Sequence, residues 1–208
     1  MITNFEEYAA KTYLPALGAH DTDEATLLAA VRYVLTRDIG GHESRLRELL
    51  TTRFRTQTGR DIAASCVDAL ITLTDDPVAN ARFLSLAATA KDPPPSAKLC
   101  EDGLQRLGPV ANEALLIELA RTDDPDRIRK LARLLTRVSG VRPPAPLPTW
   151  LRSDRPQRQQ AIHNWRSRIT EAGALPAPPP TTQPASQPAT VPASQPAVTP
   201  ASQPAAPR

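Results

Sequence analysis

The chain has 208 residues, 25 of them basic and 22 acidic, with only eight glycines and eight aromatic side chains, a composition that disfavours an all-β fold. No run of about 18 apolar residues occurs, which excludes a membrane-spanning helix, and the opening MITNFEEYAAK is too polar and acidic for a secretory leader. Two cysteines without a C-x-x-C pair exclude a disulfide framework, and the expected location is the cytoplasm, or the cell envelope if the true start lies upstream.

Residues 4–14, NFEEYAAKTYL, open with Asn4 and carry Glu7 three positions on, the spacing of a capping box. Asp21 and Glu24 repeat that spacing before ATLLAAVRYVLTRD, where Leu27, Leu28, Val31, Val34 and Leu35 share one helical face. Gly40-Gly41 breaks this helix, and ESRLRELLTTRF follows with Leu46, Leu49 and Leu50 on one side. Gly59 separates it from RDIAASCVDALITL, whose Ile62, Cys66, Leu70 and Leu73 form a stripe that predicts a small buried thiol at 66.

The tetrapeptide TDDP comes next, at 74–77, and recurs at 122–125. In each copy the second aspartate is placed to cap a helix, and proline suits the first helical position because its missing N–H has no intrahelical partner there. The helices so launched are VANARFLSLAATAK, ending at DPPP, and DRIRKLARLLTRVS, with Ile128, Leu131, Leu135 and Val138 inward and Gly140 as its stop. Between them lie SAKLCEDGLQRLG, starting from Ser96, and VANEALLIELAR, after Gly108-Pro109. Three helix starts fall between the two copies, so TDDP is a stop-and-cap device and not the repeat period. Pair starts near 21, 59, 95 and 124 give a period of roughly 30–40 residues, the range of two-helix solenoid repeats.

Residues 103–140, GLQRLGPVANEALLIELARTDDPDRIRKLARLLTRVSG, resemble a bacterial HEAT repeat: a helix ending in Leu-Gly-Pro, a second apolar helix, an Asp-Pro-Asp turn and an Arg-bearing third helix. RPQRQQAIHNWRSRI, 155–169, is similar to the helix that closes many such arrays, with Ala161, Ile162 and Trp165 in an Ala-Ile-x-x-Trp pattern. The resemblance is good over 95–170 and rests on helix spacing alone over 1–94. It implies an all-α fold, a short right-handed α-solenoid of about four antiparallel helix pairs, and an interaction role without catalytic residues. The expected organisation is HEAT-like repeats over 1–140, a Pro-rich linker over 141–154, a capping helix over 155–171 and a disordered tail over 172–208. Apolar surface that one pair cannot hide must be covered by stacked neighbours, and the array's ends need covers, for which Phe5 and Tyr8 in the first helix and Ile162, Trp165 and Ile169 in the last are suited. Trp150 and Trp165 read as anchors of the linker and last helix.

From Gly173 the chain is almost entirely Pro, Ala, Thr, Ser and Gln, with eleven of its 23 prolines and no charge before Arg208. PASQPA recurs at 184–189, 192–197 and 200–205, a composition that reads as an extended, uncharged spacer.

No catalytic, cofactor or metal constellation is predicted. HESRL at 42–46 has Leu46 where a zinc-protease motif needs its second histidine, and His20, His42 and His163 lie far apart with no cysteine at ligand spacing. Clustered acids such as Asp75-Asp76 and Asp123-Asp124-Asp126 fit helix capping. Alkylpurine DNA glycosylases and bilin lyases are HEAT-like enzymes, but neither family's site is reproduced.

Charge is the uneven feature. Residues 1–124 carry 13 basic and 19 acidic side chains, a net −6, whereas 125–208 carry 12 and 3, a net +9. The expected function is a non-catalytic scaffold that binds an unidentified protein along a concave helical face, with Arg82, Ser85, Glu113 and Glu118 as its contact residues. The alternative is a nucleic-acid-associated protein using the basic end, where Arg127, Arg129, Lys130 and Arg133 would meet phosphates or an acidic surface. An enzyme on the same scaffold would require a pocket with converging ionisable groups.

Overall fold

The computed structural model describes residues 2–175, with side chains from residue 6 onward. Among these residues it contains ten helices and no strand: α1 (Ile2–Gly18), α2 (Glu24–Thr36), α3 (Glu43–Thr51), α4 (Gln57–Thr72), α5 (Pro77–Thr89), α6 (Ala97–Leu107), α7 (Pro109–Arg121), α8 (Pro125–Ser139), α9 (Leu147–Arg152) and α10 (Arg155–Glu171). None of these helices is long and apolar enough to cross a membrane.

The fold is all-α, built from helices that pair along the chain: α1 on α2, α3 on α4, α5 on α6 and α7 on α8. Second members also pack in sequence, α2 on α4, α4 on α6 and α6 on α8, while α7 lies against α5 and α10. Such packing is compatible with a helical-repeat fold. The pairs begin at residues 2, 43, 77 and 109, one helix earlier than the sequence period placed them. The reason lies in α1. It is a full partner of α2, with Leu17 buried and the Tyr13 ring 5.5 Å from that of Tyr33, so counting from it shifts every pair. Tyr8, expected to cover the end of the array, is 68% exposed, and the side chain of Phe5 lies outside the described residues.

The apolar stripes make the core. Leu27, Val31 and Val34 of α2, Ile62, Cys66 and Leu70 of α4, and Ile128, Leu131 and Leu135 of α8 are all buried, each leucine or isoleucine contributing about 2 kcal/mol of hydrophobic stabilisation. Where α6 crosses α4, Gly103 is buried, and a Cβ there would stand 2.7 Å from Val67 Cγ1, so this crossing depends on the absence of a side chain. Both thiols are free and buried; desolvation pushes Cys66 up to about 12 and Cys100 up to about 11.

Helix ends follow the capping chemistry with three shifts. Asp76 accepts from the Ala79 amide at 2.8 Å and Asp124 from that of Asp126 at 3.0 Å, and in both TDDP copies the threonine hydroxyl accepts from the amide of the capping aspartate. The start of α2, however, is capped by Asp23, two residues after Asp21, and Asn4 lies inside α1. Gly59 is no separator: it sits in the first turn of α4, where Thr56 caps its amide and a Cβ would overlap Phe54.

The expected linker contains α9, whose buried Trp150 meets Trp165 of α10 edge to face at 5.5 Å, while Trp165 Nε1 donates to Val141 O at 3.1 Å. Helix α10 ends in a Schellman motif, with Gly173 at φ 68°, Gly173 N–H to Thr170 O and Ala174 N–H to Ile169 O. Of the tail expected over 172–208, only residues 172–175 are described: Ala174 and Leu175 pack against the core, and Asn112 Nδ2 donates to Ala174 O at 2.7 Å. The rest of that tail, including the PASQPA repeats, lies outside the described residues.

Candidate functional site

Helix α8 divides its residues by face. Ile128, Leu131, Ala132, Leu134 and Leu135 are buried, and Asp126, Arg129, Arg133 and Arg137, three or four positions apart, form an exposed ridge with Arg127 and Lys130 half-buried beside it. Pro125 and the Asp124 cap fix where the helix begins, and so which side chains reach the ridge.

Two hollows adjoin this ridge. One, of about 520 Å³, is lined by Thr89, Lys91, Asp124, Asp126, Arg127, Arg129, Lys130 and Arg133. The other, of about 410 Å³, lies between α8 and α9 and is lined by Arg129, Arg133, Leu147, Pro148, Leu151 and Arg152. Arg129 and Arg133 belong to both. Six basic side chains thus face two aspartates. The four basic residues singled out in the sequence come together here, joined by Lys91 from the segment that follows α5. Lys130 makes that junction by donating to Ala90 O at 2.9 Å.

Some of this charge is already answered. Arg127 Nη2 donates to Glu118 Oε2 at 2.8 Å, and Arg129 pairs with Asp126. Arg133, Arg152 and Lys91 have no carboxylate partner among the described residues. The N-terminus of α8 is occupied by its own Asp124, so an anion in the first hollow would be held by side chains and not by the helix end.

The other four expected contact residues do not form a surface row. Ser85 is fully buried and its hydroxyl donates to Arg82 O. Glu118 is only 3% exposed, and its second oxygen accepts from Arg82 Nε at 2.9 Å, so the carboxylate ties α5, α7 and α8 together. Glu113 is half-buried and accepts from Arg166 of α10 at 2.7 Å. The expectation of a presented face is corrected here because α5 and α7 are interior helices, each packed against three or more others. Missed in the sequence were Lys91, Leu147, Pro148 and Leu151, which adjoin α8 only through tertiary pairing.

Among the described residues no three His, Cys, Asp or Glu side chains are grouped so as to hold a metal ion. No protein-family model, no curated protein and no solved structure matches this chain.

Proposed function

We propose that the chain is a short right-handed HEAT-like α-solenoid that acts as a non-catalytic interaction module in the cytoplasm, and that its partner is an acidic protein surface bound along the α8 ridge. The helix-on-helix order along the chain supports the architecture, and two free buried thiols accord with the compartment. The observation that carries the partner is the meeting of Lys91 with Arg127, Arg129, Lys130 and Arg133 around one hollow, from segments more than thirty residues apart. Charge of one sign over a concave surface steers an oppositely charged partner and sets its orientation.

A second reading, nucleic-acid association, draws on the same six cations. One feature favours protein: among the described residues no aromatic side chain lines either hollow to stack a base. Of the acids beside the ridge, Glu118 and Asp126 are held by arginines and Asp124 by the amides that it caps, which accords with a binding role rather than proton transfer.

The test is titration of the full chain with a twelve-residue polyglutamate peptide and with a single-stranded oligonucleotide of equal charge. Binding of the peptide that weakens at least tenfold in Arg129→Glu/Arg133→Glu is expected. Tighter binding of the oligonucleotide, lost in the same variant, would transfer the site to the second reading; binding of neither probe would remove the site.

A further inference from the structure

The second hollow differs from the first in having large apolar side chains in its lining. Leu147 and Leu151 are four residues apart on α9 and half-buried, Pro148 stands exposed beside them, and Arg129, Arg133 and Arg152 complete the lining, Arg129 paired with Asp126 and the other two without a carboxylate partner among the described residues. Helix α9 is anchored by Trp150, which is buried against Trp165. The hollow's volume of about 410 Å³ lies within the roughly 300–1,000 Å³ of small ligand sites. An apolar patch ringed by cations matches an apolar side chain flanked by carboxylates. A plain polyanion would leave the leucines in contact with water.

We infer that this hollow is an anchor site for one large apolar side chain of an acidic segment, which makes the partner's recognition element a leucine or phenylalanine set among glutamates or aspartates. The inference rests on the acidic-partner reading and narrows it. Arg133 and Arg152 hold the flanking carboxylates, and Leu147, Pro148 and Leu151 receive the apolar group. The first hollow takes further acidic residues of the same segment across the Arg129–Arg133 ridge.

The experiment uses two twelve-residue peptides of equal charge, one of glutamate and serine only, the other with one central serine replaced by leucine. Both are titrated into the full chain by calorimetry at fixed salt. The leucine peptide is expected to bind about tenfold tighter, the scale set by burying one such side chain. Leu151→Ser should erase most of that preference, and Arg133→Glu should weaken both peptides together. Near-UV dichroism of the tryptophan pair reports whether Leu151→Ser keeps α9 docked; if it does not, Pro148→Ser, at an exposed position, takes its place and should reduce the preference severalfold. Equal affinities for the two peptides, or a preference indifferent to the surviving variant, would overturn the anchor site while the acidic-partner reading stood. Failure of both peptides to bind would overturn the two together.

Discussion

Helices α5 and α7 begin with the same four residues, Pro-Val-Ala-Asn, at 77–80 and 109–112, yet the two asparagines are used differently. Asn80 is satisfied at both ends of its amide: Nδ2 donates to Leu70 O at 3.0 Å, and Oδ1 accepts the fork of Arg47, whose Nε is 3.0 Å away and whose guanidinium lies over the Phe83 ring. Asn112 is equally buried, but among the described residues only its Nδ2 finds a partner, Ala174 O, and its Oδ1 has none. On α7 the charged tie is made instead by Glu118, which collects Arg82 and Arg127. Identical local sequence thus fixes the helix start, whereas the cross-helix bond depends on what the preceding pair supplies. One seam is held by an arginine reaching an amide and the next by a carboxylate reaching two arginines.

That comparison ranks the following substitutions, each followed by urea unfolding of the full chain monitored by far-UV dichroism. Glu118→Ala should be the most damaging, at about 3 kcal/mol, because it strands two guanidiniums that are a quarter to a third exposed. A loss near zero would mean that the carboxylate is not what joins α5, α7 and α8. Asn80→Ala should follow at about 2 kcal/mol, leaving the buried Leu70 carbonyl and Arg47 without partners. Asn112→Ala removes one bond and an oxygen that bonds nothing among the described residues, so about 1 kcal/mol is expected. Equal losses at the two asparagines would erase the distinction between the seams.

A separate effect, dependent on pH, should come from the thiols. The folded chain keeps Cys66 and Cys100 protonated up to about 12 and about 11, whereas the unfolded chain releases those protons near 9.0. Between these values the unfolded state binds fewer protons, so stability is level below pH 9 and declines as pH rises above it. Urea midpoints at pH 8, 9 and 10 should show that decline, and it should be shallower in Cys66→Ala.

The sequence reveals helices more readily than their pairing. Apolar residues at helical spacing, and signals such as Asp76-Pro77 and Gly140, act within a few positions, and the elements they mark appear where expected. Pair register is set by which stripes face one another, and no local signal distinguishes a first member from a second; treating α1 as an end cover displaced every pair. The candidate site divides along the same line. Arg127, Arg129, Lys130 and Arg133 were visible as a charge excess along one stretch. Lys91 and the α9 leucines reach them only because α5 and α9 pack near α8. Glu118 was misread as a surface residue although VANEALLIELA is apolar on nearly every side, which is the mark of a helix enclosed by others.

The Arg129–Arg133 wall has a consequence for any pair of ligands. Because both chambers draw on the same two guanidiniums, filling one reorients or neutralises a boundary of the other, so the two occupancies are thermodynamically linked. Reciprocity then requires that whatever factor the first guest imposes on the second is returned unchanged. A segment long enough to straddle the wall meets the same coupling, but the high local concentration of its second half, which two separate fragments lack, favours joint occupancy.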